Sequence, residues 1–480
     1  MKVAGILMSP KKLGVVHIIG IGGIGMSGIA EILHTYGYEV QGSDMSSSYM
    51  TDRLKSIGIK VFIGHKAEHV ENANIVVRST AVDKGNPEIL EAVRLKIPTI
   101  SRSDMLAELL RFKHAIAISG THGKTTTTSL VGAMLMSGGM NPTIINGGII
   151  NAVGSNVHIG NGDFIVVEAD ESDGTFIRLP SCISIITNID PEHLDYYGSF
   201  DNAKEAYMKF MQNIPFYGFF VACFDHEIVK EIALKVTNRR CVSYGIDHES
   251  DVTAENINIT TDGSYFDVIL SDDLMAKVNF KSKKIEKLFL PTHGLHNIRN
   301  ALAAIATAIN LEIEEESIRK ALLSFAGVKR RFTKVAEIND IMIIDDYAHH
   351  PVEILATLSA ASEISKIRGG NIIAVMQPHR YSRLSSLMDD FSICMNKANH
   401  ILVMDVYPAG EEKLNGVSSE ILVEKIKKSG FHDVIYVNHH KNIANAINTI
   451  AKPKDLVVFL GAGSITQWAY ELPDQLTSLS

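Results

Sequence analysis

The chain has 480 residues, 46% of them apolar and 21% charged, and a formal net charge of −8. That balance suits a globular protein of about three domains at roughly 150 residues each, and it offers no overall positive field to draw the chain to nucleic acid or to an anionic membrane. The four cysteines, Cys182, Cys223, Cys241 and Cys394, stand far apart with no C-x-x-C pair, which excludes a disulfide framework or a zinc knuckle and suits a reducing, cytoplasmic setting.

No apolar run reaches the roughly 20 residues of a membrane helix. The run Val3 to Met8, set among Lys2, Lys11 and Lys12, is too short for a secretory signal. Val15 to Ile19 then reads as a strand, followed by Gly20-Ile-Gly22-Gly23-Ile-Gly25 and a helix from Met26 to Tyr36. This is G-x-G-x-x-G in strand–turn–helix context, where glycines let the backbone approach a pyrophosphate. A second strand starts at Glu39-Val40 and ends near Asp44. Ile75 to Val77 and Thr99-Ile100 read as short buried strands, and Met105 to Leu110 as a helix. Taken alone, the fingerprint points to NAD or FAD, with Asp44 on a ribose.

A second anion cradle follows. The apolar run Ala115 to Ile118 leads into Gly120-Thr121-His122-Gly123-Lys124-Thr125-Thr126 and a helix-like run, Ser129 to Met136. Backbone N–H groups of such a turn point at phosphate oxygens. Lys124 suits the β/γ-phosphates of ATP, and Thr125 offers a hydroxyl to Mg²⁺. The general pattern places four residues between its glycines; this loop has two, which favours a narrower, ligase-type variant. A dehydrogenase has no use for this cradle. Two such sites on one chain point to one nucleotide supplying energy and a second carrying the substrate.

Strands are expected at Phe164 to Val167 and Ile183 to Ile186, ending in Glu168-Ala-Asp-Glu171 and Thr187-Asn-Ile-Asp190. Ligands bind at such carboxyl ends in open α/β sheets. Glu168 with Thr125 makes a first Mg²⁺ pair and His193 assists a second ion, although Asp170, Glu171 and Asp173 compete with Glu168 on chemistry alone. From Cys241 to about Leu290 short alternating strands predict an antiparallel patch, and Asn297 to Asn310 has helical spacing. A third α/β unit begins near Lys329, with strands at Ile341 to Ile344, Ile372 to Met376, Ile401 to Met404 and Leu456 to Leu460. Pro351 falls in a helix first turn. Within this unit Arg331 can neutralise a transferring phosphoryl group, and Asp346 can orient a nucleotide. Asn297 can read adenine. His349, His350, His379 and Arg383 form a cationic, hydrogen-bonding surface for a small carboxylate.

Read together, these segments resemble the bacterial Mur ligases nearly end to end. The matching stretches are His17 to Glu31, Gly120 to Thr127, Glu168 to Asp173, Asn188 to Asp195, His296-Asn297 with Asn300, and Arg330-Arg331-Phe332. Asp345 to Pro351, Gln377 to Arg383 and Gly461 to Ser464 complete them. The first stretch and the two His-containing C-terminal ones are most similar to the branch of the family that adds the first amino acid. The resemblance implies ATP-dependent joining of L-alanine to the lactyl carboxylate of UDP-N-acetylmuramic acid through an acyl phosphate, with two Mg²⁺ ions and without NAD or FAD.

It further implies three domains closing on a shared site. These are a Rossmann-like UDP-sugar domain (1–113), a central P-loop ATPase-type α/β domain with the small antiparallel patch (114–328), and a Rossmann-like C-terminal domain (329–480). By the same resemblance Gly22, Gly23, Ile24, Gly25 and Met26 grip the UDP portion. Gly120 to Thr126, Asn297, Asn300 and Asp346 bind ATP. Lys124, Glu168, His193 and Arg331 serve the reaction, and Thr125, Glu168 and His193 the metal. His349 and Arg380 mark the amino-acid pocket. Several family members hold the second ion with a carbamylated lysine. Here Tyr207, flanked by Lys204 and Lys209, stands near that position, so no carbamyl-lysine is expected. The rival readings are a ligase that attaches a recycled peptide to the same sugar, a nucleotide-dependent oxidoreductase, and an ATPase switch.

Overall fold

The computed structural model describes residues 13–79, 82–151 and 155–479, apart from the side chains of Ile24, Ile150 and Leu479. The Val3 to Met8 run lies outside the described residues. Among those residues no helix is long and apolar enough to cross a membrane. The chain forms two compact units. One comprises Met1–Thr253, Ile269–Lys284 and Asn300–Leu322; the other Ala254–Val268, Ile285–Arg299 and Leu323–Ser480.

The first unit holds two sheets. In the front sheet, β1 (Val15–Ile19) leads through helix α1 (Ile24–Thr35) to β2 (Glu39–Asp44), β3 (Lys60–Ile63) and β4 (Ile75–Arg78). Helix α2 (Pro87–Arg94), β5 (Thr99–Ser101) and helix α3 (Arg102–Leu110) follow. The order is β3-β2-β1-β4-β5, all parallel. The order reverses between β1 and β4, so the turn after β1 opens at the switch point where such sheets bind ligands. The central β1 is buried along Val16–Ile19, whereas edge strand β5 is only half-buried. Asn86 caps α2, with Pro87 in its first turn, and Ser101 caps α3 in a reciprocal box with Asp104.

The second sheet of this unit is built on β6 (His114–Ser119), which feeds helix α4 (Lys124–Ser137). It continues with β7 (Thr143–Ile150), β8 (Ser155–His158), β9 (Phe164–Glu168), β10 (Ile183–Ile186), β11 (Phe219–Cys223) and β12 (Arg240–Gly245). Strand β6 lies between β9 and β10, and both pairings are parallel. The edge pair β7–β8 is antiparallel. Apolar runs without alternation, such as Ile183–Ile186, belong to strands covered on both faces.

One sequence expectation needs correction here. Arg240–Gly245 pairs parallel with Phe219–Cys223 and is followed in parallel by Val252 and Thr253. The antiparallel patch therefore starts later than Cys241. It consists of β13 (Val252–Ile259), β14 (Ser264–Leu270) and β15 (Lys284–Leu290), whose residues 254–259, 264–268 and 285–290 belong to the second unit. A four-residue turn joins β13 to the adjacent β14, closed by Thr260 N–H donating to Gly263 O. Only antiparallel neighbours allow so short a link. Alternation is real in β14 but not in β12, whose last four residues are all buried.

The rest of the second unit is a sheet of order β16-β17-β21-β18-β19-β20. It contains β16 (Thr333–Ile338), β17 (Ile341–Asp346), β18 (Ile372–Met376), β19 (His400–Met404), β20 (Val434–Val437) and β21 (Leu456–Leu460). Only β16 runs antiparallel to its neighbour. Helix α5 (Pro351–Arg368) starts on a His350–Glu353 capping box and stops at Gly369, whose φ of 73° ends the helix in the left-handed region.

The front sheet also encloses an ionised carboxylate. Glu88 is fully buried. Its oxygens meet Ser43 Oγ at 2.5 Å, His69 Nδ1 at 2.7 Å, His65 Nδ1 at 3.2 Å and His17 Nε2 at 3.4 Å. Burial opposes its charge, but the hydrogen bonds from His17, Ser43 and His69 outweigh it and hold the carboxyl at about 2. The contribution is therefore present above the unfolded value of 4.5 and lost as pH falls toward 2, worth roughly 3 kcal/mol. Denaturant titrations at pH 7, 4.5 and 3 are expected to show wild-type stability falling over this window. Glu88→Gln should be less stable at pH 7 and show a correspondingly shallower acid slope.

Candidate active site

The loop after β6 is tied down from two neighbouring strands. Past β10, Thr187 Oγ1 and Asn188 Nδ2 donate to His122 O at 2.6 and 3.0 Å, and His122 N–H donates to Asn188 Oδ1 at 2.7 Å. Asp190 N–H donates to Thr121 Oγ1 at 2.8 Å. Gly120 has a φ of 138°, and a Cβ there would collide with Thr187 Oγ1. Gly123 (φ 83°) would place a Cβ 2.7 Å from Asn300 Oδ1, which also accepts from Thr127 Oγ1 at 3.2 Å. Both glycines are thus required by backbone angle and by space. They start α4 at Lys124, leaving the N–H groups of its first turn without intrahelical partners.

Lys124 Nζ donates to Gly120 O at 2.5 Å, Thr121 O at 3.1 Å and Glu171 Oε1 at 2.8 Å. Burial alone would lower its pKa, but Glu171 and Glu168 raise it, so the cation is retained. The pair is asymmetric. Burial pushes the Glu171 carboxyl up, and the single charge on Lys124 works against that.

Glu171 belongs to a cluster. One ligand atom each from Glu171, Glu192 and His193 lies within 4.8 Å of the others, and Glu171 Oε2 is buried with no hydrogen-bond partner. His193 is in the left-handed region at φ 55°, uncommon for a residue with a Cβ. Glu168, at the end of β9, accepts from Gly147 N–H at 2.8 Å and is not a member of this trio. Two carboxylates and one imidazole are a donor set that suits a hard divalent cation with phosphate. Tyr207 is buried against Phe176 with its ring edge-on at 5.1 Å. Lys204 pairs with Asp201 and the exposed Lys209 with Glu205.

The front turn faces a cleft of about 310 Å³. It is lined by Gly23, Gly25, Met26, Ser79 and Arg102, and by Ile145 to Gly147, Glu168 and Asp170. Gly22 N–H donates to Asp44 Oδ2 at 2.8 Å, so Asp44 braces the turn itself. Gly23 opens α1 without a side-chain cap. Of Ile24 only the backbone is described.

In the second unit Asp346 is buried. Its carboxylate accepts from Phe332 N–H at 2.7 Å and Ala348 N–H at 2.8 Å, and burial pushes it up to about 6 despite Arg331. It thereby holds a turn in which Arg330 and Phe332 are both left-handed, at φ 62° and 50°. Within that turn Arg331 lies over the Tyr347 ring at 5.3 Å and 3.9 Å from Glu353. Asn297 donates to His293 O at 2.8 Å. His349 packs edge-on to His379 at 5.8 Å, and His379 stacks on Tyr407 at 5.3 Å. Arg383 lies 3.4 Å from His379 Nδ1, and Arg380, half-exposed at φ 70°, lies 3.9 Å from Glu411.

The histidine part of the expected cationic surface needs correction. Burial, then the neighbouring charges, lowers His379 to about 4, and burial lowers His349 as well. The positive charge there comes from Arg380 and Arg383.

Sequence reading singled out His193 and Lys124 but assigned nothing to Thr187, Asn188, Glu192 or Asn146, and named Glu171 only as a rival of Glu168. Asn146 ties β7 to α4 by donating to Thr125 O and Ser129 Oγ at 3.2 and 2.6 Å. Position at the carboxyl ends of the strands flanking β6 was the available signal for Glu171, Thr187, Asn188 and Glu192. Asn146 had none.

Three family profiles match this chain in order. Residues 15–114 match "Mur ligase family, catalytic domain", 118–308 "Mur ligase middle domain" and 330–463 "Mur ligase, glutamate ligase domain". The UDP-N-acetylmuramate–L-alanine ligase of Brucella anthropi is 52% identical over 467 residues, 97% of this chain and 98% of that protein. The same-named ligase of Agrobacterium fabrum is 52% identical over 472 residues, 98% of each. The crystal structure of UDP-N-acetylmuramate-alanine ligase MurC from Thermotoga maritima is similar at a TM-score of 0.80 and 28% identity, covering 97% of this chain and 100% of that one. A murein peptide ligase from Psychrobacter arcticus gives 0.68 and 26%, covering 96% and 98%.

The neutral histidine pair is open to direct measurement. With histidine ring carbons labelled and His379→Gln used for assignment, the His379 resonance should titrate with a midpoint near 4. A midpoint near the ordinary 6.5 would return the charge to the imidazole.

Proposed function

The chain belongs to the Mur ligase family, and we propose that within it this protein joins L-alanine to the lactyl carboxylate of UDP-N-acetylmuramic acid, with ATP converted to ADP and phosphate. The product is UDP-N-acetylmuramoyl-L-alanine, a peptidoglycan precursor. The observation that carries this reading is one unit bearing two anion cradles, with the front turn and Glu168 lining the same cleft.

We assign residues 1–113 to the UDP-sugar, 114–328 to ATP, and 329–480 to alanine and the remainder of the nucleotide site. A carboxylate is a poor electrophile, so its oxygen first attacks the γ-phosphoryl group. The bond to the β-phosphate oxygen breaks, and ADP leaves an acyl phosphate. Lys124 and the N–H groups at the start of α4 offset the charge that builds on the phosphate oxygens. The alanine amine, having lost its proton, then attacks the carbonyl carbon, and the tetrahedral intermediate collapses with loss of phosphate. Water must be excluded throughout, or the acyl phosphate hydrolyses.

Gly22 to Met26 are assigned to the UDP portion. Gly120 to Thr126, Asn297 and Asn300 are assigned to ATP. Arg331 is assigned to the transferring phosphoryl group. Asp346 acts on the nucleotide site through the turn it holds. His349 and Arg380 are assigned to the alanine pocket, with Arg380 providing the charge for its carboxylate. Thr125, Glu168 and His193 are assigned to Mg²⁺, and a divalent ion bound there supplies further neutralisation of phosphate charge. Glu171 and Glu192, beside His193, supply the carboxylates that make a carbamylated lysine unnecessary. The intact mass of the purified protein is expected to show no carbamate; one on Lys204 or Lys209 would contradict this assignment.

Phosphate release with each substrate omitted in turn tests the reaction. Release should depend on ATP, UDP-N-acetylmuramate and L-alanine together, and a tripeptide should not replace L-alanine. In the same assay Lys124→Ala should lower the rate by about 10²–10³-fold with UDP-sugar binding retained. Gly22→Val should do the reverse. Its side chain would start 2.8–2.9 Å from Thr51 Cγ2 and Asp44 Oδ2, so UDP-sugar binding weakens and ATP binding does not.

A further inference from the structure

Glu88 is fully buried and is not one of the described residues that line the front cleft. Its hydrogen bonds nevertheless lead to the turn after β1. Gly20 and Ile21 both donate their N–H groups to Ser43 O, at 2.8 and 3.0 Å. Gly22 N–H donates to the next residue, Asp44, through Oδ2 at 2.8 Å. The last two residues of β2 thus hold the first part of the fingerprint by its backbone. Ser43 is itself fully buried, and its hydroxyl donates to Glu88 Oε2 at 2.5 Å.

The partners of Glu88 are fixed in turn. Gln41 Nε2 donates to His69 O at 2.8 Å, and its second N–H faces His17 Nδ1 at 3.3 Å. His17 Nδ1 is therefore an acceptor, and the ring carries its proton on Nε2, 3.4 Å from Glu88 Oε2. Oε1 accepts from His69 Nδ1 at 2.7 Å and from Lys66 N–H at 3.3 Å. Donors from β1, β2 and the segment after β3 thus converge on one carboxylate. Stability alone does not call for a charge here, because well-packed apolar residues often replace a buried ion without loss. What the carboxylate adds is direction. With its side chain held by Glu88, Ser43 cannot shift along the sheet, and its carbonyl stays where Gly20 and Ile21 need it.

Resting on the reading that the front turn receives the sugar nucleotide, we propose that Glu88 is a positioning residue for that substrate, acting through Ser43 on the backbone of the turn. It touches no reactant. The effect of losing it falls on sugar-nucleotide binding and spares both the ATP site and the chemical step.

Calorimetric titration of UDP-N-acetylmuramate, with kcat and the KM for ATP measured alongside, tests this on wild type, Glu88→Gln, Ser43→Ala, the double variant and His69→Leu. Each is studied where denaturant titration shows it folded. Glu88→Gln and Ser43→Ala should each weaken UDP-N-acetylmuramate by about 10-fold, the loss of one hydrogen bond to a charged group. Their kcat at saturating sugar nucleotide and their KM for ATP should stay at the wild-type values. The double variant should bind no worse than either single one, since both break the same link. His69→Leu removes a donor from the other carboxylate oxygen, so it should lower stability and leave the affinity close to wild type. Unchanged affinity in Glu88→Gln, additive losses in the double variant, an equal loss in His69→Leu, or a matching rise in the KM for ATP overturns the proposal. Wild-type protein that fails to bind UDP-N-acetylmuramate would instead overturn the reading on which it rests.

Discussion

An ammonium taken largely out of water has to be surrounded by oxygen, and much of the first unit is arranged around that demand. Lys124 is satisfied by two carbonyls of its own loop and by Glu171. Those carbonyls turn inward only because Gly120 and Gly123 adopt left-handed angles and leave room for Thr187 and Asn300. The third partner comes from the segment after β9, and the clamp on His122 from the segment after β10. Lys124 therefore ties its loop to the segment after β9, and His122 ties the same loop to the segment after β10. The helix that starts at Lys124 inherits an N-terminus aimed at the space between them.

Each unit carries local backbone cost among its candidate residues. His193, Arg330, Phe332 and Arg380 are non-glycine residues at positive φ, each worth of order 1 kcal/mol or more. Each is held by neighbours. His193 starts a short helix whose Tyr197 hydroxyl donates to Glu171 O at 2.5 Å, and the Arg330 to Phe332 turn hangs from Asp346. Such over-determination is what a polar site needs if its charges are to stay put rather than relax toward water. Electrostatics divide the labour in a second way. Carboxylates gather at the ends of β9 and β10. In the second unit the imidazoles of His349 and His379 are kept neutral and the arginines carry the charge.

Much was legible in the sequence because local rules carried it. The two Gly-rich turns followed apolar runs and preceded helical spacing, and they stand where expected. Of the strands read from apolar runs, all are present, and the helix at Pro351 starts on that residue. Strand β12 was taken for part of an antiparallel patch because pairing direction is not encoded in a short run of apolar residues. Strands β3, β7, β8, β16 and β20, whose runs are short or mixed with polar residues, escaped notice, and so did the wholly apolar β11. The neutral state of His379 follows from burial beside His349 and Arg383, which no spacing shows.

The sequence by itself determined where the two glycine-rich turns lie, which strands are buried on both faces, and the family to which the chain belongs. Glycine, lysine and apolar runs act through their immediate neighbours. Only the tertiary structure decided that Glu171, rather than Glu168, holds Lys124 and sits beside His193, that Asp44 and Asp346 brace turns, and that Glu88 holds Ser43. These choices rest on side chains far apart in sequence reaching the same few ångströms, where burial and charge at short range select one partner among several chemically equal ones.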